Sequence, residues 1–415
     1  MNPIHLYIMS MSGSGTVSGV DRYVDELAQG MSMKPDMRVV LLKFRRDKKH
    51  IFIRQEEKNG YVRITVPLPV NLSEIISQPY WMGKYCKHVF ELLKEEFQNK
   101  ERCVLHLNTL NLIDFALYVK SRIPCKIVSH LHCIPWKGLY NTDKNRFNRL
   151  FQSYYYRKLY SPSRLYVFRD YEERSYKESD AIVCVTSCAR DFLRNLFPVL
   201  PPVFVVRNGI RDLGGEKKYT LSSEKEIKCI YAGNMNASKG LHFILRALQL
   251  VYEKGRRPRL YIAGACSEDI QVRLKMSYPN IRLDFLGELS LEQLCTFYRK
   301  CDLGIIASLQ EQCSYVAIEM MMSGLPVVTT DVDGLSEMFV DRYNSLKTKV
   351  NFSRVSGLEV DVFQMCRQIV RLIDDPKLRH KMGLHARARF SNCFSSDAMI
   401  EDTYCIYCGL FKTNM

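Results

Sequence analysis

The sequence predicts an α/β protein of two domains, each built on an open parallel sheet. Three observations carry that prediction. Strand-like apolar runs alternate with helix-like segments from end to end. The strand runs are continuously apolar, as in parallel sheets covered by helices on both faces. A polar stretch near the middle, 211–226, has two adjacent glycines and no periodicity, and reads as a linker.

Taken in order, strands are expected at 4–11, 38–44, 62–66, 103–107, 126–130, 181–185 and 203–206. After the linker they are expected at 227–232, 259–263, 281–286, 303–307 and 326–330. A chain of 415 residues suits two to three domains, each with its own core. The boundaries that follow are a first domain at 1–212, a linker at 213–226, a second domain at 227–392 and a helical tail at 393–415. The tail has helix-like apolar spacing (Met399, Ile400, Tyr404, Ile406, Tyr407) and could pack on either domain, including back on the first. Two facing open sheets would turn the carboxyl ends of their strands toward a shared cleft, where ligands bind in doubly wound folds.

Composition narrows the class. Hydrophobic content of 47% and charged content of 25% are ordinary for a globular chain. No run reaches about 18 apolar residues, so no membrane-spanning helix is expected. Residues 1–15 lack a basic region followed by a long apolar run, so a cytoplasmic location is expected, with the inner face of the membrane as a further place. The 15 cysteines are odd in number and scattered, which suits buried thiols in a reducing compartment. Cys405-x-x-Cys408 has no second pair and reads as packing, not as a metal site. The formal net charge of +16 favours anionic partners: a nucleotide diphosphate, anionic lipid head groups or nucleic acid. Bases and aromatics are mixed over 144–177, from Arg146 to Tyr171 and beyond. That pattern reads either as structural packing or as contact with an anionic membrane or acceptor, with nucleic acid the weakest reading.

Residues 308–326, S-L-Q-E-Q-C-S-Y-V-A-I-E-M-M-M-S-G-L-P, are the most informative. Glu311 and Glu319 are separated by seven residues, with an apolar helix, roughly 314–323, beginning between them. Gly324 and Pro326 end that helix. Helix starts bind phosphate, and a carboxylate accepts from two neighbouring hydroxyls. The segment could therefore hold a sugar, a diphosphate and a ribose diol in a row.

Four further motifs follow strands. Residues 12–19, S-G-S-G-T-V-S-G, fit a turn that lets backbone approach phosphate, with a helix from about Val20. The spacing is G-x-G-x-x-x-G, so a nicotinamide site, with Arg45 and Arg46 at a 2′-phosphate, is a weaker alternative, as is a plain turn. In S-H-L-H-C-I-P-W, His130 and His132 would face opposite sides if the strand continues, His132 reading as functional and His130 as structural; His106 stands between those readings. In Y-A-G-N-M-N-A-S-K-G, 231–240, Lys239 is expected in a first helical turn, placing a positive charge on a diphosphate. Asp331-x-Asp333 imitates a metal pair but more often caps the next helix.

These residues together resemble the retaining glycosyltransferases of family 4, over most of the chain. S-G-V-D-R-Y-V-D-E-L-A is similar to the opening glycine loop and first helix, and S-H-L-H to the acceptor-side histidine segment. V-V-R-N-G-I at 205–210, F-L-G-E-L-S-L-E-Q-L at 285–294, and the E-x7-E segment with S-G-L-P-V-V and D-G-L-S-E also match. The resemblance implies the GT-B fold of two facing Rossmann-like domains with parallel sheets and an interdomain cleft. It implies that Glu311 contacts the transferred sugar and that the amides around Cys313, Ser314 and Tyr315 meet sugar and diphosphate. Glu319 would hold the ribose diol, Leu286 would line the base pocket, and Lys239 would neutralise the diphosphate with Gly19 closing over it. His132 would lie beside the reacting carbon. Asn234 stands where the family usually has arginine, with Arg207 or Arg22 as substitutes, and Cys313-Ser314 stands where Phe-Gly is common.

The function so implied is metal-independent transfer of a hexose-type sugar from a nucleotide-diphosphate donor to a glycan, lipid-linked or peptide acceptor, with retention of configuration. No cofactor beyond the co-substrate is expected, because Lys239 and the helix start would stabilise the leaving charge. No nucleophile for a double displacement is evident, which leaves same-face attack by the acceptor hydroxyl. A sugar-nucleotide epimerase on the same architecture and a degenerate, non-catalytic nucleotide-sugar-binding subunit are the alternatives. A two-carboxylate hydrolase would not need a phosphate-type helix start.

Overall fold

The computed structural model describes residues 2–12, 19–45, 52–68, 79–134, 137, 145, 147–148, 172–197, 199–214, 226–353 and 357–412. The glycine turn at 13–18, most of the basic-aromatic stretch 144–171 and most of the linker lie outside these residues. Two compact units form: Met1–Gly209 with Ser396–Met415, and Ile210–Ser395.

Unit 1 contains β1 (Ile4–Ser12), α1 (Gly19–Ser32), β2 (Met37–Arg45), β3 (Arg54–Lys58), β4 (Tyr61–Pro67) and α2 (Pro79–Leu92). It continues with β5 (Cys103–Leu107), α3 (Ile113–Lys120), β6 (Cys125–Leu131), β7 (Ala181–Cys184), α4 (Ser187–Leu196) and β8 (Val203–Val205). The strands lie in the order β3-β4-β2-β1-β5-β6-β7-β8. All neighbours are parallel except β3 and β4. Central strands such as β5, C-V-L-H-L, are buried at every position, which is why they read as unbroken apolar runs. β3 was not expected, because R-Q-E-E-K is exposed at every position and carries no apolar signal. The available cue was Asn59-Gly60, a two-residue hairpin turn with Gly60 at φ 87° that pairs Lys58 with Tyr61. Its charges suit a sheet edge.

Unit 2 contains β9 (Glu226–Ala232), α5 (Leu241–Glu253), β10 (Arg257–Ala263), α6 (Glu268–Ser277), β11 (Arg282–Gly287) and α7 (Leu291–Lys300). Then come β12 (Leu303–Ile306), α8 (Tyr315–Met322), β13 (Val327–Thr330), α9 (Asp333–Met338) and β14 (Ser345–Thr348). The β15–β16 hairpin (Val350–Ser353, Gly357–Val360), α10 (Val362–Asp374) and α11 (Pro376–Cys393) complete it. The last helix, α12 (Ser396–Gly409), belongs to unit 1. The six main strands are parallel, in the order β11-β10-β9-β12-β13-β14. Each of the twelve strands expected from the sequence is present within a residue or two of its expected ends.

Both orders reverse once, at β1/β5 in unit 1 and at β9/β12 in unit 2. A crevice opens beyond the strand ends where an open α/β sheet changes direction. In unit 2 the loops that border this point are 233–240 and 307–314.

Candidate functional site

The two loops of the unit 2 switch point are tied together by backbone. Leu309 N–H donates to Ser238 O at 2.8 Å. Gly240, at φ 73°, sits so close to Ala307 that a Cβ there would lie 2.1 Å from the Ala307 carbonyl oxygen. Lys239 occupies a short 3-10 turn, Ala237–Lys239, and not the first turn of the following helix as expected; Asn236 caps that turn, and left-handed Gly240 separates it from α5. This placement brings Lys239 Nζ to 2.5 Å from Glu311 Oε2. Ser308 Oγ lies 3.5 Å from the same oxygen. Asn234 accepts Tyr231 OH on its backbone oxygen at 2.7 Å, which fixes the turn just after β9.

Cys313, Ser314 and Tyr315 form the start of α8. Ser314 is the N-cap, its Oγ accepting Ala317 N–H at 3.3 Å. The first amides of a helix have no acceptor within it, and the helix dipole adds positive potential there. Glu319 lies further into α8, only 2% exposed, and accepts Tyr298 OH of α7 at 3.0 Å. Tyr298 was not singled out from the sequence, because a tyrosine among the apolar positions of a helix reads as core. Leu286 sits near the end of β11 and lines a cleft of about 440 Å³ with Tyr261, Lys275, Phe285 and Phe297. The carboxylates after β13 do not cap the next helix as expected. The N-cap of α9 is Val332, while Asp331 holds Ser336 Oγ at 2.7 Å and Lys347 Nζ at 2.9 Å. The Asp331 carboxyl is held below its ordinary value; burial opposes that shift, and the bonds from Lys347 and Ser336 outweigh it.

Unit 1 gathers a separate polar cluster around its own strand ends. β6 stops at Leu131, so His132 lies past the strand. His130 and His132 share one side, contrary to the opposite faces expected, because residues two apart along an extended chain point the same way; their rings stack 4.2 Å apart at 11°. His132 Nε2 lies 2.9 Å from Asn108 Oδ1, which gives Nε2 the proton and leaves Nδ1 as the lone-pair nitrogen. Tyr23 OH meets His130 Nδ1 at 3.0 Å, and Tyr407 OH meets His106 Nδ1 at 2.6 Å. Burial holds His132 down at about 3. Burial first, then the neighbouring His132, holds His106 at about 3, and burial sets His130 well below the usual imidazole value. All three are neutral at pH 7. Gly19 begins α1 and is exposed. Nothing in the residue pattern marks Asn108 beyond its place directly after β5.

A family profile described as Glycosyltransferase Family 4 matches residues 17–212, and one described as Glycosyl transferases group 1 matches residues 226–375. Among curated proteins, glycogen synthase from Mycobacterium tuberculosis is 24% identical over 234 residues, 56% of this chain and 54% of that protein. The chain thus spans about half the length of the curated relatives it matches. Among solved structures, sucrose-phosphate synthase from Thermosynechococcus elongatus aligns at TM-score 0.74 and 16% identity, covering 98% of this chain and 99% of that one. The Anabaena HepE structure in complex with UDP-glucose aligns at TM-score 0.66 and 14% identity, covering 98% and 100%. With both halves of the chain matched and both sheets in Rossmann order, the protein belongs to the family 4 glycosyltransferases of the GT-B fold.

Proposed function

We propose that the protein transfers a hexose-type sugar from a nucleotide-diphosphate donor to a hydroxyl of a glycan, lipid-linked or peptide acceptor, with retention of configuration. The observation that carries this reading is the Lys239–Glu311 pair at the switch point of unit 2, beside the start of α8. One cation and one carboxylate within a hydrogen bond of each other suit a ligand that presents phosphate oxygens and sugar hydroxyls side by side. The aligned HepE structures are complexes with UDP-glucose and with UDP and glucose, which supports a donor of this class.

In this mechanism the difficult event is departure of the diphosphate while positive charge grows on the sugar ring. Lys239 and the amides around Cys313, Ser314 and Tyr315 stabilise the leaving negative charge, so that no metal is needed. Glu311 orients the sugar hydroxyls. Glu319, held by Tyr298, takes the ribose diol, and Leu286 borders the base. Asn234 leaves Lys239 as the principal side-chain cation of the loop after β9. Unit 1 handles the acceptor, with His132 as its contribution. A neutral His132 whose Nε2–H is committed to Asn108 serves to orient a hydroxyl through Nδ1, since a group at about 3 is a poor general base. The acceptor hydroxyl then attacks from the face that the diphosphate leaves.

A thermal-shift panel of nucleotide-sugars, followed by mass-spectrometric detection of transfer to a cell extract and NMR of the product anomer, tests the reading. A donor-dependent product with the donor's anomeric configuration is expected. Isomerised donor without acceptor would establish an epimerase instead. Donor binding without transfer across a broad acceptor panel would establish a binding subunit.

A further inference from the structure

We propose that the C-terminal helix supplies a positioning residue for His132: Tyr407 of α12, acting through His106 and His130, sets the orientation of that ring. The inference rests on the reading of unit 1 as the acceptor side, and it concerns residues for which that reading gives no role.

The helix is locked to unit 1 from outside and reaches inward from there. Ile400 packs onto Gly30 of α1 so tightly that a Cβ at Gly30 would lie 1.9 Å from Ile400 Cδ1. Lys34 Nζ meets Glu401 Oε2 at 2.6 Å, and Tyr404 OH donates to Asp36 Oδ2 at 2.8 Å. Tyr407 and Thr403, both 0% exposed, are on the inner side. The Tyr407 hydroxyl bonds His106 Nδ1, while Thr403 Oγ1 donates to Met399 O at 2.7 Å within α12. A buried hydroxyl costs free energy unless it is bonded, and phenylalanine would fill the Tyr407 volume without that cost. The hydroxyl is therefore explained by the ring it meets.

From there the contacts run without a gap to His132. The His106 ring lies 5.3 Å from that of His130, and His130 stacks at 4.2 Å on His132. Tyr23 donates to or accepts from His130 Nδ1 and packs edge-on at 4.6 Å against His132. His106 is followed two residues later on the same face by Asn108, the partner of His132 Nε2. Among the described residues, buried His106 Nε2, His130 Nε2 and Asn108 Nδ2 find no hydrogen-bond partner, so few bonds among those residues hold these rings in place. Whichever of Tyr407 and His106 is the donor, their one hydrogen bond selects the His106 tautomer, and the stack passes its orientation on.

The test uses the whole chain with Tyr407→Phe and, as a second variant that leaves the Tyr407 hydroxyl in place, His106→Gln. In nitrogen-15 histidine spectra, with His132 assigned by His132→Asn, both variants are expected to move the His132 ring-nitrogen resonances. In transfer assays kcat is expected to fall about 10- to 100-fold with donor KM held, as for a displaced reacting group. The same substitutions in a His132→Ala background are expected to cost nothing further, because coupled residues are not additive. Movement of His106 resonances alone, or a full additional loss in the His132→Ala background, would overturn the proposal. The spectra decide it without any transfer, so a wild-type chain inactive with every donor would remove the functional reading and leave this one judged on its own readout.

Discussion

Lys239 and Glu311 define each other's chemistry, because a 2.5 Å contact between opposite charges places a cation and an acceptor at one point of the switch-point crevice. Lys239→Ala is expected to lower kcat about 100- to 1000-fold, the range found when one preorganised donor to a developing anion is removed. A single-turnover transfer assay measures it, and wild-type rates would contradict the role. Glu319 is held differently. Its carboxyl is buried and depends on Tyr298 OH. Tyr298→Phe removes that bond without changing the side-chain volume much, so a loss of about 1–3 kcal/mol in folding stability is expected from the bond to a buried carboxyl. Donor Kd is expected to rise about 10-fold by calorimetry with kcat near wild type; an unchanged Kd would remove Glu319 from ribose binding.

At the scale of elements, the E-x7-E segment is shaped by the helix that follows it. Gly334 N–H of α9 donates to Glu311 O at 2.8 Å. A Cβ at Gly334 would fall 1.3 Å from Gln312 O, so only glycine lets α9 close on the loop before α8. Gly334→Ala is expected to push residues 311–312 outward, cost roughly 1–3 kcal/mol by overpacking and weaken donor binding. Urea unfolding and calorimetry check both effects, and an unchanged donor Kd would show that this clamp does not set the site. The D-G pair at 333–334 was legible as part of the family pattern, but its job was not. A sequence does not show that a loop carbonyl twenty-odd residues upstream will occupy the space of a missing side chain. The short edge elements β3 and β14 were hidden for a related reason: R-Q-E-E-K and S-L-K-T carry no run of apolar residues, and pairing with an existing sheet makes them strands.

For the whole molecule, the three histidines of the unit 1 cluster, two buried and His132 half-buried, set an acid limit. His106 and His132 are held at about 3 and His130 well below its usual value, first by burial in each case. In the unfolded chain each titrates near 6.5. Between those values the unfolded chain binds more protons, so stability is complete above about pH 6.5 and falls as pH drops toward 3. The urea midpoint is expected to decrease from pH 7.5 to pH 5, and less steeply in His106→Gln, which removes one of the three groups. An equal slope in the variant would show that His106 is not protonated on unfolding in this range.

The sequence by itself determined the two parallel sheets, the apolar helix between Glu311 and Glu319, and the family, because continuous apolar runs, helix stops and motif spacings are local properties of the chain. Only the tertiary structure decided which of those residues meet. Lys239 and Glu311, 72 residues apart, are joined by the strand order that sets β9 beside β12. The same holds for Tyr298 beneath Glu319 and for Tyr407, 301 residues from His106 in sequence yet hydrogen-bonded to it. Long-range partners follow from sheet order and helix docking, which are fixed by the burial of the whole core and leave no mark in any short stretch of residues.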